Sequence, residues 1–339
     1  MNLKNKITKI HYDKNAKGLI LNILKLLSNI YTFFAEYKNQ QYDKGILQPK
    51  KVDAKVISVG NLTTGGVGKT PVTCEIAKYL NSKGHTVAIV SRGYGGKLSN
   101  KNINVISDGK TIFYNAKFSG DEPFWLAKNT GCIVITSKNR YEASKYAIEN
   151  FNSDIILLDD GFQHRKLYRD IDIILIDSVK QFGNGNLLPA GPLREGIKNI
   201  LRADKILVVS KDTDHSNAEN FAKHIMQKYK KDVQVCKIEP DYVYNIKTNA
   251  KLEYGAKATA ISAIGQPEQF YNFLKNYDIV DTVTFDDHHQ YEISELSTIE
   301  GNIITTEKDA VKLKEFNFDN IYALKLRTVL DVQNLISKD

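Results

Sequence analysis

KVISVGNLTTGGVGKTPVTCEIAKYLNSKG, residues 55–84, holds a buried-strand pattern (Lys55–Val59), a glycine-rich turn (Gly60–Pro71) and a helical pattern from Val72 onward. Strand, glycine loop and helix in that order are the three parts of a P-loop. Glycines let backbone N–H groups converge on phosphate oxygens, and the helix start adds the positive end of its dipole. Thr63, Thr64, Gly65, Gly66, Val67, Gly68, Lys69 and Thr70 are therefore the expected nucleotide-binding residues. Lys69 would reach the β and γ phosphates, and the Thr70 hydroxyl would ligate Mg²⁺. The general G-x-x-x-x-G-K-[ST] pattern wants glycine where this chain has Thr63; Gly65 and Gly66 stand inside the loop instead.

A second nucleotide element should be an apolar strand ending in acid, and DIILLDD (154–160), running into GFQH, supplies it. Asp159 or Asp160 would hold the metal, directly or through water, because hard carboxylate oxygen suits Mg²⁺. Strand patterns at 170–177 and 205–209 continue a βαβ alternation. The predicted fold is α/β, a P-loop NTPase-like, doubly wound, mostly parallel sheet. After Val235 the pattern restarts, at 258–265, 279–285, NIITTEKDA and NIYALKL, and reads as a second, smaller α/β domain. The expected divisions are a basic leader and amphipathic helix at 1–50, the P-loop core at 51–235, and the smaller domain with its linker strands at 236–339.

With 339 residues, 42% hydrophobic and 25% charged, the chain is neither disordered, collagenous nor a small disulfide scaffold. Cys74, Cys132 and Cys236 are far apart in apolar stretches, which suits buried thiols in a reducing compartment better than disulfides or a zinc cluster. Residues 1–55 carry eleven lysines against four acids, so they hold seven of the eight net positive charges. A basic leader of this kind points to an anionic membrane surface and away from nucleic acid. Within GLILNILKLLSNIYTFFAE (18–36), polar residues at 18, 22, 25, 29, 32 and 36 mark one helical face and apolar residues fill the rest. The run is shorter than the ~20 apolar residues of a spanning helix, and Lys25 sits near its middle. It is predicted to lie in the membrane interface. It starts late for a secretory signal and no small-x-small site closes it.

Four polar clusters argue for group transfer over the alternative, a membrane-associated ATPase of the partitioning or scaffold type. SRGYGGK (91–97) follows the strand TVAIVS, where open α/β sheets place ligands; Arg92 could stabilise phosphoryl charge and Tyr94 could pack on a base or sugar. SGDEP (119–123) sets Asp121 and Glu122 at a helix start, where a carboxylate can also simply cap. LLPAGPLRE (187–195) presents Arg194 and Glu195 on a rigid loop. FDDHHQY (285–291) is the fourth. SKDTD and TEKD have the wrong spacing for a guanine-reading N-K-x-D, so ATP is the expected nucleotide. Asp287-His288-His289 also matches manganese phosphoesterases, but those need further Asp and His clusters that the N-terminal half, with only His11, His85 and His164, lacks. His215 and His224 lie in a polar helical stretch and are expected in solvent.

VGNLTTGGVGKTP, SRGYGG, SGDEP, DDGFQH, LPAGPLRE, F-x-DH and TTEKDAVK, in this order and spacing, closely resemble the tetraacyldisaccharide 4′-kinase (LpxK) family of lipid A biosynthesis. The resemblance covers about residues 18–313, and Thr63 belongs to that family's own loop. It implies ATP-dependent phosphorylation of the 4′-hydroxyl of an acylated, β-1,6-linked glucosamine disaccharide 1-phosphate, giving lipid IVA. It also implies a peripheral enzyme on the cytoplasmic face of a Gram-negative inner membrane, with no obligate protein partner. Carried over by residue, Lys69 and Thr70 bind phosphates and Mg²⁺, and Asp159 or Asp160 completes the metal site. Asp121 resembles the catalytic base, with Glu122 as the other candidate, assisted by His288 in preference to His289. Arg92, Arg194, Glu195, Gln163 and His164 would arrange phosphate, metal or sugar contacts. If Asp121 and His288 belong to different domains, closure over ATP is expected.

Overall fold

The structure is a computed structural model, and it describes residues 3–13, 15–212, 214–265, 267–286 and 289–337. Two helices, α1 (Leu3–Tyr12) and α2 (Leu19–Asp43), precede strand β1 (Lys55–Asn61). Then follow α3 (Lys69–Ser82), β2 (Val87–Ser91), β3 (Asn104–Asp108), α4 (Ala116–Ser119), α5 (Asp121–Thr130), β4 (Ile133–Thr136), α6 (Arg140–Phe151), β5 (Ile155–Asp159), β6 (Ile171–Asp177), β7 (Lys205–Ser210) and α7 (Ser216–Tyr229). β8 (Asp232–Asn245) leads into β9 (Lys257–Ser262), α8 (Pro267–Asn272), β10 (Asp278–Thr284), α9 (Ile293–Ser297), β11 (Asn302–Thr306), α10 (Glu307–Leu313), β12 (Ile321–Val329) and α11 (Val332–Ile336). The chain forms two compact units, Met1–Val209 with Ser216–Cys236 and Leu330–Asp339, and Ser210–His215 with Lys237–Val329.

In the first unit the strands run in the order β7-β6-β1-β5-β2-β4-β3. All these pairings are parallel except β3 with β4. Parallel strands covered on both faces should be apolar throughout, without alternation. β5 and β6 are accordingly buried at every position, and β1 at every position after Lys55. One face packs Val56, Ala88, Val90 and Ile135 on Ala143 and Ala147 of α6; another cluster sets Ile174, Ile176, Ile206 and Val208 against Ala218, Ala222 and Ile225 of α7. Cys74, Cys132 and Cys236 are buried thiols outside any disulfide, as their surroundings in sequence suggested. β3 is a short antiparallel edge whose polar sequence, NVISD, gave no strand signal.

The second unit orders its strands β10-β9-β11-β12-β8, parallel except for β12 with β8. His215 is not in solvent as expected. Its ring bridges Ser210 Oγ at 2.8 Å and Glu239 Oε1 at 3.1 Å, because an imidazole beside a carboxylate is better bonded than hydrated. His224 is exposed.

α2 runs seven residues past Glu36, where the apolar pattern stops. Nothing in YKNQQYD breaks a helix, and the end comes at Gly45, whose φ of +72° is the left-handed conformation glycine supplies after a helix C-terminus. The polar stripe 22-25-29 does not face the protein. Leu21 and Ser28 are buried instead, and Ser28 Oγ donates to Leu187 O at 2.8 Å and Tyr31 OH to Arg194 O at 2.8 Å. Leu19, Ile23, Leu26, Ile30, Phe33 and Phe34 stand exposed, so one face is tied to the unit and an apolar face is bare. By length and composition α2 is apolar enough to cross a membrane.

Candidate active site

β1 lies between β5 and β6, so its C-terminal end delivers the glycine loop to the middle of the sheet. Gly65 (φ +106°) and Gly68 (φ +104°) adopt a backbone that side chains with a Cβ resist, and Gly68 is the N-cap of α3. The loop is also held from outside. Thr64 N donates to Pro192 O at 2.8 Å, Tyr12 OH donates to Thr64 O at 3.0 Å, and Thr63 bridges to Leu193. Val67 is buried beneath the loop, and Gly66 is exposed. Lys69 Nζ lies 3.2 Å from Asn61 Oδ1 and 3.5 Å from Asp160 Oδ1.

The two aspartates at the end of β5 have different surroundings. Asp159 is buried and accepts from Thr73 Oγ1 at 3.2 Å. Burial first, then the charge of Glu122, pushes its pKa up to about 7, with Asp160 adding to this and Lys69 opposing. Burial also works against Asp160, but Lys69 and Arg194 outweigh it and hold that carboxyl below its ordinary range. Arg194 Nη1 lies 2.8 Å from both Asp160 oxygens.

The first turn of α5 opens with Asp121 and Glu122, and the charge of Glu122 is among those that raise the Asp159 pKa. Close backbone packing fixes that turn. A Cβ on Gly96 would meet Phe118 O at 2.5 Å and one on Gly120 would meet Tyr94 O at 2.5 Å, so SRGYGG and SGDEP cross where only glycine fits. Lys97 N and Leu98 N complete the crossing by donating to Lys117 O and Phe118 O. The N-cap is Gly120, with no side-chain cap, so Asp121 is not the capping residue. Arg92 Nη1 donates to Tyr94 OH at 2.5 Å and its guanidinium lies 4.8 Å from that ring.

Gln163 connects the site to a second network. Its Oε1 accepts from Arg194 at 3.3 Å, while its Nε2 donates to Asn61 O at 2.8 Å and Glu195 Oε1 at 2.9 Å. Glu195, one of the residues expected near the metal, takes part in this network through both carboxylate oxygens. Its other oxygen accepts from Arg202 at 2.8 Å and Asn39 at 3.0 Å, because a buried carboxylate needs donors and these are the nearest. His164 is kept neutral, its pKa pushed down to about 3 by burial and by the charges of Arg140, Lys38, Arg169 and Lys166. Asp287 and His288 lie outside the described residues; neighbouring His289 is hydrogen-bonded through Nε2 to Glu295 at 3.0 Å and stacked on Phe285.

Three contributors escaped the sequence reading. Arg140, the first residue of α6, is 5% exposed with its Nε unpartnered, and its guanidinium feels Asp160, Arg92 and Asp159. An arginine just beyond the strand pattern CIVIT was the available signal. Asn39 and Arg202 carried none, since the predicted helix stopped short of the first and nothing marked the second.

Thr70 and Asp159 offer the hard oxygens Mg²⁺ prefers, and a nucleotide-bound Mg²⁺ needs only one or two protein ligands. No group of three or more His, Cys, Asp or Glu that could hold a metal ion occurs among the described residues.

The family model described as LpxK, tetraacyldisaccharide-1-P 4′-kinase, matches residues 20–338. A tetraacyldisaccharide 4′-kinase of Halothermothrix orenii is 35% identical over 94% of this chain and 93% of its own length. One from Geobacter metallireducens is 37% identical over 87% and 89%. The crystal structure of LpxK from Aquifex aeolicus in complex with ATP is 30% identical, covers 93% of this chain and 96% of its own, and superposes with a TM-score of 0.75. With the glycine loop, the aspartate pair and the crossed glycine turns in the expected order along one sheet, the chain belongs to the LpxK family of tetraacyldisaccharide-1-P 4′-kinases.

Proposed function

We propose that this chain is an ATP- and Mg²⁺-dependent kinase that phosphorylates the 4′-hydroxyl of a tetraacylated, β-1,6-linked glucosamine disaccharide 1-phosphate, giving lipid IVA. One observation carries the reading. The glycine loop sets Lys69 beside Asp160 at the end of β5, and the charge of Glu122, in the acidic first turn of α5, acts on Asp159 there. ATP on the Aquifex aeolicus LpxK and the activity named for the relatives support it.

In the transfer, the 4′-oxygen bonds to the γ-phosphorus as the bond to the β,γ-bridging oxygen breaks, and ADP leaves with the electron pair. Asp121 takes the hydroxyl proton, help worth ~10²–10⁴-fold, with His288 as the partner the family motif supplies. Lys69 moves its charge from Asn61 and Asp160 to the β and γ phosphates, while Arg194 keeps Asp160 in place. Arg92 and Arg140 oppose the negative charge of the transferring group, and Tyr94 packs on the sugar or base. Thr70 and Asp159 would hold Mg²⁺, which offsets charge on the phosphates when bound.

The same reading puts the enzyme on the cytoplasmic face of a bacterial inner membrane as a peripheral, monotopic protein. The face of α2 bonded to the first unit is not free to enter lipid, and the bare face offers Leu26, Ile30, Phe33 and Phe34 to the interface. The test is transfer of ³²P from labelled ATP to the disaccharide 1-phosphate in mixed micelles, with wild type, Lys69→Ala and Asp121→Ala. Labelled lipid lost in both variants is the expected result. ATP hydrolysis without labelled lipid would instead favour a membrane-bound ATPase. For the membrane half, Leu26→Ser with Phe33→Ser should release the protein from sedimenting vesicles; unchanged sedimentation would sink the interfacial helix.

A further inference from the structure

α1 precedes the stretch matched by the family model, which begins at residue 20, yet its last turn is bonded to the nucleotide loop. His11 is 8% exposed, and its Nε2–H donates to Pro189 O at 2.9 Å. Its own carbonyl accepts from Asn184 N at 2.8 Å, and the Asn184 side-chain amide donates to Ile10 O and to Ala190 O, both at 2.9 Å. This approach needs glycine at 183, where φ is +59° and a Cβ would meet both His11 O and Pro192 Cγ at 2.5 Å. The end of α1 is thereby seated on the loop 183–193, the same loop whose Pro192 O accepts from Thr64 N at 2.8 Å. From that seat Tyr12 OH donates to Thr64 O at 3.0 Å, with Lys180 Nζ 4.7 Å from the centre of its ring. Burial, then the charge of Asp177, raises the Tyr12 pKa, so the hydroxyl keeps the proton it donates.

Both backbone groups of Thr64 are therefore held, the N–H by Pro192 and the carbonyl by Tyr12. A trans peptide sets its N–H opposite its C=O, so a bond that holds Thr64 O also fixes the direction of the Gly65 N–H. The residues that follow have little to hold them by side-chain packing: Gly65 and Gly66 carry no Cβ and are exposed, and Gly65 sits at φ +106°. Glycine has the widest choice of backbone conformations, and ordering it around a ligand costs the most entropy. Backbone N–H groups of such a loop are the donors that meet phosphate. A hydroxyl that restrains the peptide beforehand lowers the cost of binding.

We propose that Tyr12 is a positioning residue for ATP: seated by His11, its hydroxyl holds the Thr64–Gly65 peptide in the orientation that presents the Gly65 N–H to the phosphates. This rests on the kinase reading above. It places a determinant of nucleotide affinity in α1, a helix joined to the apolar α2 by residues 13–18.

The experiment uses the full chain as wild type, Tyr12→Phe, His11→Leu and the double variant. It measures equilibrium binding of a fluorescent ATP analogue with Mg²⁺ in the absence of acceptor, and initial rates of lipid labelling, with thermal unfolding as the check on folding. Tyr12→Phe keeps the ring and removes only the hydroxyl. It should weaken analogue binding and raise the KM for ATP by about three- to tenfold, the worth of one hydrogen bond, with the KM for acceptor and the kcat at saturating ATP near wild type. His11→Leu should give a shift at least as large, and the double variant should bind no more weakly than His11→Leu, because a hydroxyl that has lost its seat has nothing further to contribute. Unchanged analogue affinity in Tyr12→Phe overturns the proposal, and so do losses that simply multiply in the double variant. A fall in kcat with both KM values unmoved would mark a merely structural role and overturn it as well. Wild type that binds the analogue and labels no lipid would overturn the kinase reading, while the binding series would still decide what Tyr12 does.

Discussion

The ends of β5 and β11 look alike in sequence, each an apolar parallel strand followed by acids, yet they do different work. At β5, Asp159 and Asp160 face Lys69, Arg194 and the charge of Glu122. At β11, Asp309 accepts from Ala263 N at 3.0 Å and from Thr306 Oγ1 at 2.9 Å, while its own N–H donates back to Thr306, the N-cap of α10. It ties a turn to a neighbouring strand of the second unit. An acid bonded to backbone and a neutral hydroxyl holds structure, whereas an acid among cations and other acids can exchange partners when phosphate and metal arrive.

The widest test of this contrast is kinetic. Asp121→Ala and Lys69→Ala should each lower kcat by ~10²–10⁴-fold with the fold intact, measured as initial rates of labelled lipid. Asp309→Ala should leave turnover per folded molecule near wild type; a comparable loss of kcat there would erase the distinction. Glu195→Ala comes next in size. It leaves Arg202 buried without its carboxylate and should cost about 3–5 kcal/mol in denaturant unfolding, while Glu195→Gln should be milder; a metal-ligand role would instead show as raised Mg²⁺ demand with little change in stability. Asp309→Ala should itself lower stability by about 1–3 kcal/mol, through the unpaired Ala263 N–H.

The smallest effect is in pH dependence. The Asp159 pKa is raised to about 7 in the folded protein, so between the ordinary carboxylate range and pH 7 the unfolded chain is ionised there and the folded one protonated. This group's contribution to stability is full below the unfolded pKa and falls as pH rises towards 7. Asp159→Asn should therefore flatten the decline of metal-free stability over that window, followed as Tm at several pH values. Parallel Tm profiles for wild type and variant would contradict the assignment.

Much of the first unit was legible. KVISV, DIILLDD and DIDIILID are apolar enough to be buried on both faces, and the glycine spacing marks a phosphate loop without reference to anything distant. Helix α2 was legible only as far as its apolar pattern. Its last seven residues are held by partners more than a hundred positions away, Asn39 by Glu195 and Arg202 and Asp43 by Arg165. Arg194 and Glu195 are neighbours in one loop motif, LLPAGPLRE, which does not say what each side chain bonds to. Successive residues on a loop can point in opposite directions, and only one of these two faces the aspartates.

By itself, then, the sequence determined the α/β class, the glycine loop, the strand ends that carry the acids and the amphipathic helix. Each rests on a periodicity or spacing within about twenty residues, where local sterics and burial decide the outcome. Tertiary structure alone decided which way the carboxyl pKa values move, which arginines are ion-paired, that the charge of Asp160 acts on Arg140 and that α2 offers its polar tail to the loop after β5. Those outcomes depend on which charges long-range packing brings within a few ångströms and how far it strips water from them, and neither is written in the order of the residues.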